Sequence, residues 1–244
     1  MVSIIVDELG LTYPVRTPLR LSAHVDRLRK GGTISGAGRT KFVTALDGVN
    51  FALAAGDRLG LIGSNGAGKT TLLKVLYGIY EPTAGRVKIN GRVDALFNIN
   101  LGFRREATGR RNIVLRGLIN GWHPNEIDAR MEDIIAFSEL GEFIDMPYKV
   151  YSQGMAARLA FSVATSFNPE ILLMDEWIGA GDASFQEKAK VRMNEMSKQA
   201  GIIVLASHNE SLIKRVCNKV LVLEKGQVKA FADADSYFAA KPKA

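Results

Sequence analysis

The chain has 244 residues and a formal net charge of +7; 47% of its residues are hydrophobic and 23% are charged. This composition is that of a globular protein and excludes an intrinsically disordered one, while the single cysteine, Cys217, excludes an internal disulfide and indicates a reducing compartment. No apolar run approaches the ~18 residues of a membrane-spanning helix, and the first residues do not resemble a secretory signal. We therefore expect a cytoplasmic protein built as one large domain, or as one domain with an inserted lobe.

The first predicted elements are two strands separated by a basic segment. Residues 2–6 predict an edge strand, and residues 49–53 alternate between apolar and polar side chains as a second strand does. Between them, residues 14–41 contain seven basic residues and one acidic residue, so 7 − 1 = +6 of the net charge lies in this basic segment. Within it, residues 21–28 have the apolar spacing of a short amphipathic helix, and residues 31–40 predict a loop because they are rich in glycine, serine and threonine.

The basic segment has two interpretations. Each lysine or arginine near an anionic lipid surface contributes ~1 kcal/mol, which favours contact with the cytoplasmic face of a membrane. A solvated loop is the alternative, and the sequence leaves both open. Nucleic acid is not expected as a partner, because no aromatic side chain interrupts residues 14–41 to stack on bases before Phe42.

A glycine-rich motif follows the buried strand predicted at residues 57–62. It fits the phosphate-loop pattern G-x-x-x-x-G-K-[ST], and residues 71–77 predict a helix directly after it. Glycines let backbone N–H groups point at phosphate oxygens, the lysine bridges the β- and γ-phosphates, and the threonine hydroxyl is a ligand for Mg²⁺. The predicted nucleotide-binding residues are Gly63, Ser64, Asn65, Gly66, Ala67, Gly68, Lys69, Thr70 and Thr71, with Lys69 also catalytic and Thr70 also a metal ligand.

The middle of the chain changes from strands to helices. Residues 86–89 alternate as a strand, and Asn90-Gly91 predicts a hairpin turn after it. From residue 93 to residue 167 the pattern is mainly helical. Helices are predicted from Thr108 to Asn120, from Pro124 onward, and from Ser152 to Phe167.

The alternation of strands and helices resumes after Pro169. We expect an α/β protein whose nucleotide-binding core (residues 1–92 and 168–244) is interrupted by a helical subdomain (residues 93–167). The remaining strands are predicted at residues 171–174, 201–206, 220–223 and 227–231, and the remaining helices at residues 185–199 and 210–216, with a short tail at the end.

Two carboxylates end the apolar strand at residues 171–174. Parallel strands carry such residues to the carboxyl edge of the sheet, where open α/β sheets bind their ligands. Asp175 is therefore a candidate Mg²⁺ ligand, and Glu176 is a candidate general base. An acidic strand end is weak evidence alone, but behind a phosphate loop it indicates hydrolysis of a nucleoside triphosphate.

Two other polar positions are candidates for phosphate contacts. Ser152 with Gly154 marks a helix start, which is either an ordinary N-cap or an anion site. His208 follows the strand at residues 201–206 directly, so it can reach a γ-phosphate. The other two histidines, His24 and His123, are interpreted as ordinary surface or core residues.

As an ordered set, these motifs resemble an ATP-binding-cassette (ABC) ATPase over essentially the whole chain. The set is GSNGAGKT, YSQGM, ILLMDE, Gly179-Ala180-Gly181-Asp182 and Ser207-His208. The resemblance implies a P-loop NTPase nucleotide-binding domain with a mixed sheet, which binds ATP and Mg²⁺ in a head-to-tail homodimer. In such a dimer, Ser152, Gln153 and Gly154 of one subunit contact the γ-phosphate bound by the other, and Asp182 belongs to the loop that crosses the interface.

Within this family, several departures from the common pattern resemble exporters of O-antigen, capsular polysaccharide and teichoic acid. YSQGM stands in place of LSGGQ, DEWIGAGDASF differs from the usual DEP…SALD, and residues 107–113 are similar to a TGxEN stretch with Arg111 in place of its acid. The segment with the sequence LASHNESLIKRVCN most resembles the exporters of O-antigen. The resemblance implies an ATPase peripheral to the cytoplasmic side of the inner membrane, where two copies pair with two copies of a transmembrane permease.

Two functional positions of that family have to be matched to residues of this chain. The family places a glutamine that senses the γ-phosphate and Mg²⁺ between residues 89 and 110; this chain has none there, and Asn98 is the nearest polar candidate. The family also stacks an aromatic side chain on adenine. Tyr13 fits by its place after the first strand and Phe42 fits by its distance from Gly63, and we prefer Tyr13. A C-terminal carbohydrate-binding domain, which some O-antigen export ATPases carry, is not expected.

Two other functions compete with polysaccharide export. A soluble ABC-type ATPase acting on nucleic acid or ribosomes suits the positive charge, but such chains usually have two cassettes or a long coiled-coil insertion. A nucleotide-dependent scaffold without turnover is disfavoured by the joint presence of Lys69, Asp175, Glu176 and His208.

Overall fold

The computed structural model describes residues 1–16, 33–35, 40–97, 102–167, 169–176 and 183–241. The chain forms two units. The first contains residues 1–93, 170–177 and 201–244, and the second contains residues 94–169 and 178–200. The helix predicted at residues 185–199 therefore groups with the helical unit, whereas the sequence-based division placed it in the nucleotide-binding core. The amphipathic helix predicted at residues 21–28 lies outside the described residues.

The first unit contains most of the strands together with helices, and the second unit is mainly helical. The strands are β1 (Ser3–Arg16), β2 (Thr33–Ser35), β3 (Thr40–Ala54), β4 (Arg58–Ile62), β5 (Ala84–Asn90), β6 (Val93–Ala95), β7 (Ile171–Asp175), β8 (Ile202–Ala206), β9 (Lys219–Glu224) and β10 (Gln227–Asp233). The helices are α1 (Lys69–Leu76), α2 (Gly109–Ile119), α3 (Pro124–Ser138), α4 (Gln153–Ala164), α5 (Ala183–Gln199), α6 (Glu210–Val216) and α7 (Ala234–Ala240), with short 3₁₀ helices at Gly141–Asp145 and Tyr148–Val150.

An antiparallel sheet in the first unit has the strand order β2-β3-β1-β5. The prediction of an edge strand at residues 2–6 is wrong, because β1 continues to Arg16 and lies between β3 and β5. Register shifts between Val6 and Leu9 and between Leu9 and Leu11 mark irregularities that let β1 keep these three side chains buried. The prediction of a loop at residues 31–40 is also wrong in part, because β2 pairs with β3.

The second sheet is mixed and has the order β10-β9-β4-β8-β7-β6. Its strand β4 pairs in parallel with β8 and β9, and β7 pairs in parallel with β8, whereas β10 is antiparallel to β9. Since β5 and β6 belong to different sheets, the hairpin predicted at Asn90-Gly91 is wrong. The expected α/β class with a mixed sheet is confirmed.

Parallel pairing places three strand ends at one edge of the mixed sheet. The register aligns Leu61 of β4 and Asp175 of β7 with the same residue of β8, Ala206. All five residues of β8 are buried, so the strand lies in the protein interior. The phosphate loop after β4, the carboxylates after β7 and the Ser207-His208 pair after β8 therefore leave the sheet side by side.

The helices of the second unit begin where their caps predict. Thr108 accepts a hydrogen bond from the backbone N–H of Arg111 at the start of α2, and Ser152 accepts one from Met155 at the start of α4. Helix α4 ends at Ala164, before the predicted Phe167. Ten buried side chains form the core of the three helices and the segment between α3 and α4: Ile113, Trp122, Ile127, Met131, Ile134, Leu140, Ile144, Leu159, Val163 and Phe167.

The last described element is a helix, where the sequence predicted a tail. Helix α7 follows β10, and Ala234 at its start is buried. Among the helices that the structure describes, none combines the length and the apolar character required to cross a lipid bilayer.

Candidate active site

The phosphate loop connects buried strand β4 to helix α1, as predicted. Gly63 is required by close packing, because a Cβ atom there would lie 2.4 Å from the carbonyl oxygen of Leu223. Gly68 is required by conformation, because its φ of +110° lies in the left-handed region that side chains disfavour. The loop therefore turns tightly into the N-terminus of α1, where unpaired backbone N–H groups favour a bound anion.

Lys69 is buried in the centre of this loop. Its ammonium donates hydrogen bonds to the carbonyl oxygens of Gly63 at 2.6 Å and Ser64 at 3.2 Å, and 7% of the residue is exposed. Burial lowers the pKa of Lys69, while the negative charges of Asp175 and Glu176 oppose this shift. An ammonium has three N–H groups, so one remains for a phosphate oxygen.

Thr70 and Asp175 meet across the edge of the mixed sheet. The hydroxyl of Thr70 donates a hydrogen bond to a carboxylate oxygen of Asp175 at 2.6 Å, although 105 positions separate them in the chain. Hydroxyl and carboxylate oxygens are ligands that Mg²⁺ accepts, and in nucleotide sites phosphates and water complete its octahedron. No cluster of three or more acidic, histidine or cysteine ligands occurs among the described residues.

Glu176 follows β7 in an unusual backbone conformation. Its φ is +72°, in the region that residues other than glycine rarely adopt. Its backbone N–H donates to the carbonyl oxygen of Ala206 at 2.8 Å. Its two carboxylate oxygens accept hydrogen bonds from the Ser207 hydroxyl at 2.9 Å and from the His208 backbone N–H at 3.0 Å. The carboxylate is thus oriented by the segment that follows β8.

One cavity of about 530 Å³ joins these groups. It extends along α1 from the phosphate loop to the antiparallel sheet, where Tyr13 and Val43 are paired residues of β1 and β3. His208 is exposed and lines the same cavity. The lining residues are Tyr13, Val43, Ala45, Asn65, Gly66, Ala67, Gly68, Lys69, Thr70, Thr71, Asp175, Glu176 and His208.

Ser152, Gln153 and Gly154 belong to the helical unit. Ser152 is the N-cap of α4, and both Ser152 and Gln153 are exposed. Exposed backbone at the start of a helix of this length is available to an anion. Their contact with a γ-phosphate bound by another subunit stays a prediction.

Three predictions fall on residues that the structure does not describe. Asn98, the candidate sensor of the γ-phosphate and Mg²⁺, lies in the gap at residues 98–101. Asp182 lies in the gap at residues 177–182. Most of the basic segment lies in the gaps at residues 17–32 and 36–39. Their roles remain predictions.

Two supports of the site are not evident from the sequence. Ser207 belongs to a motif with His208, and in the structure its hydroxyl contacts Glu176 directly. Gly226 donates its backbone N–H to the carbonyl oxygen of Ala67 in the phosphate loop at 2.9 Å. Lys225 and Gly226 both have positive φ and form the two-residue turn between β9 and β10, a kind of turn in which glycine is favoured.

Comparison with known proteins decides the family. The model of the family described as ABC transporter matches residues 46–179. The chain belongs to the ABC transporter family. A likeness to the solved structure of an ATP-binding subunit of an ABC transporter supports the fold, with a TM-score of 0.71 and 23% identity over 99% of this chain and 95% of that one. This ABC ATPase also resembles an ATP-binding cassette solved as a dimer bound to ADP and Pi, with a TM-score of 0.68 and 19% identity over 95% and 98% of the two chains.

Several curated relatives of this ABC ATPase are named as ATP-binding proteins of export systems. The O-antigen export system ATP-binding protein RfbE of Yersinia enterocolitica is 42% identical over 93% of this chain and 97% of the relative. The protein of the same description named RfbB in Myxococcus xanthus is 46% identical over 77% of this chain, and the match spans 43% of that relative's length. The teichoic acids export ATP-binding protein TagH of Enterococcus faecalis is 41% identical over 78% of this chain and 42% of the relative.

Proposed function

We propose that this ABC ATPase hydrolyses ATP to drive export of a lipid-linked O-antigen polysaccharide across the inner membrane. The observation that carries the hydrolytic part is the single cavity that joins Lys69, Thr70, Asp175, Glu176 and His208. The proposal that the cargo is O-antigen is supported by the 42% identity to the Yersinia protein over nearly the full length of both chains.

In this proposal the first unit binds the triphosphate through backbone and side-chain groups of the phosphate loop. The Lys69 ammonium, already held by two carbonyl oxygens, donates its remaining N–H to the β- and γ-phosphates. Thr70 and Asp175 hold Mg²⁺, which when bound neutralises phosphate charge during transfer. Their hydrogen bond at 2.6 Å supports this assignment, because it places the two oxygen atoms beside one another.

Glu176 then activates water beside the γ-phosphate. The carboxylate takes a proton from water while the water oxygen forms a bond to the γ-phosphorus. The bond between that phosphorus and the β–γ bridging oxygen breaks, which leaves ADP and phosphate. His208, exposed in the same cavity, donates to a γ-phosphate oxygen. This proposal assigns catalysis to Glu176, His208 and Lys69.

Adenine stacks on Tyr13 in this proposal. Tyr13 lines the cavity and is 44% exposed, whereas Phe42 is 43% exposed but does not line it. The register explains the difference: Tyr13 is paired with Val43, and successive residues of a strand point to opposite faces, so Phe42 points away from the face of Tyr13.

We expect Tyr13→Ala to weaken ATP binding about 10-fold, because stacking of a base on an aromatic ring contributes ~1–3 kcal/mol. Phe42→Ala is the matched control, since it removes a ring of equal exposure from the neighbouring strand. Calorimetric titration with a non-hydrolysable ATP analogue measures both affinities. Weaker binding by the Phe42 variant with unchanged binding by the Tyr13 variant would reverse the assignment.

The complete site in this proposal needs a second copy of the chain. The exposed N-terminus of α4, with Ser152, Gln153 and Gly154, contacts the γ-phosphate held by the phosphate loop of the partner subunit. Asp182 crosses the interface and Asn98 senses the γ-phosphate and Mg²⁺. ATP binding closes this head-to-tail homodimer, and hydrolysis opens it.

Two such subunits act on two copies of a transmembrane permease from the cytoplasmic side of the inner membrane. The relatives named as export ATP-binding proteins support the role in export. Teichoic acid is the second candidate cargo, because TagH is 41% identical over 78% of this chain.

Deletion of the gene in its host tests the cargo. We expect loss of O-antigen from the cell surface, measured by lipopolysaccharide electrophoresis and surface antibody labelling, with recovery when the intact gene is supplied. Surface teichoic acid is measured in parallel. Unchanged O-antigen contradicts the proposed cargo, and loss of teichoic acid alone supports the second candidate.

A further inference from the structure

Three consecutive residues after and within β8 contact three different atoms of Glu176. Ala206 accepts the Glu176 backbone N–H, the Ser207 hydroxyl donates to Oε2, and the His208 backbone N–H donates to Oε1. Two of these contacts come from the main chain and are independent of residue type. The Ser207 hydroxyl is the side-chain contact of the three.

Ser207 is itself fixed by its surroundings. It is 3% exposed, and its Oγ accepts a hydrogen bond from the Asn209 backbone N–H at 3.1 Å. Asn209 caps α6 by accepting a hydrogen bond from Leu212 at 3.0 Å. A hydroxyl has a single proton, and this arrangement directs that proton to Glu176.

The backbone conformation of Glu176 makes this residue depend on the contacts from residues 206–208. A residue other than glycine at a φ of +72° is conformationally unfavourable and persists where surrounding contacts hold it. Each carboxylate oxygen has a second lone pair, so the hydrogen bonds orient the carboxylate and still leave acceptor sites for water.

We propose that Ser207 is a positioning residue for hydrolysis, which sets the direction of the Glu176 carboxylate toward the attacking water. This inference rests on the proposed function, in which Glu176 is the general base. Ser207 contacts neither nucleotide nor water in this role. Its loss therefore affects the chemical step and leaves nucleotide binding in place.

Steady-state ATP hydrolysis by the full chain, with its permease, tests this role. We expect Ser207→Ala to lower kcat about 10- to 100-fold, the range for misplacing a catalytic group, with the KM for ATP changed less than about 2-fold. Ser207→Thr keeps the hydroxyl and is expected to recover most of kcat. The matched control is Ser138→Ala, which removes a fully buried hydroxyl that donates to the carbonyl of Ile135 in α3.

The outcomes separate this inference from the proposed function. If Glu176→Gln is inactive and Ser207→Ala keeps full kcat, the positioning role is overturned while the general base stands. If Glu176→Gln retains turnover, the proposed general base fails. An equal loss in the Ser138 variant, or a loss in Ser207→Ala that Ser207→Thr does not recover, also overturns the positioning role.

Discussion

Replacing Glu176 with glutamine is expected to slow ATP hydrolysis by about 100-fold or more, the range for losing a general base, while ATP still binds. Glutamine keeps the shape of the side chain and one oxygen acceptor, but its amide cannot take a proton from water. Lys69, Thr70 and Asp175 keep the contacts assigned to the phosphates and Mg²⁺. The variant is therefore expected to accumulate in the ATP-bound homodimer, which size-exclusion chromatography with bound-nucleotide analysis detects.

A carboxylate at the opposite end of the same strand supplies the control. Glu170 directly precedes β7 and accepts a hydrogen bond from the Arg92 backbone N–H at 2.7 Å, which a glutamine oxygen also accepts. Glu170→Gln is expected to hydrolyse ATP at the unaltered rate. Turnover by Glu176→Gln within a few-fold of the unaltered protein would assign the general base to another group.

Replacing Lys69 with methionine is expected to weaken ATP binding about 100-fold. A hydrogen bond between charged groups contributes up to ~3 kcal/mol, and ~2.7 kcal/mol corresponds to this factor. Methionine has similar length without the charge, and it also leaves the carbonyl oxygens of Gly63 and Ser64 without their donor. Titration with ATP and with adenosine separates the two effects, because adenosine carries no phosphate and should lose much less affinity.

The control for Lys69 lies on the same helix. Lys74 is partly exposed in α1, and its ammonium lies 5.7 Å from the ring centre of Tyr80, outside the cavity. Lys74→Met is expected to bind ATP with unchanged affinity. Equal weakening in both variants would indicate a general effect of charge, and unchanged binding by Lys69→Met would remove the lysine from the phosphate site.

Features that depend on neighbouring residues in the sequence were predicted well. The phosphate loop needs a strand, closely spaced glycines and a helix within one short stretch, and all three occur between Arg58 and Leu76. Helices capped by Thr108 and Ser152 begin as predicted because the cap contacts a backbone N–H three residues later.

Features that depend on distant pairing were not predictable in this way. The apolar pattern of β1 does not reveal that it has a strand on each side, and the Asn90-Gly91 turn signal does not reveal that β5 and β6 join different sheets. Helix α5 packs through Phe185 against Phe161 of the helical unit. The sequence of α5 alone does not indicate to which of the two units the helix belongs. The Thr70–Asp175 and Ser207–Glu176 contacts require the sheet order itself.

The contact between Ala67 and Gly226 bears on how the protein is made. The ribosome synthesises the phosphate loop early, but the turn that supports the loop follows after most of the chain has emerged. Contacts between residues this far apart in sequence form slowly, because closing the long loop between them costs conformational entropy. We therefore expect a nascent chain that ends before Gly226 to lack this support for the phosphate loop, although it already contains the whole glycine-rich motif.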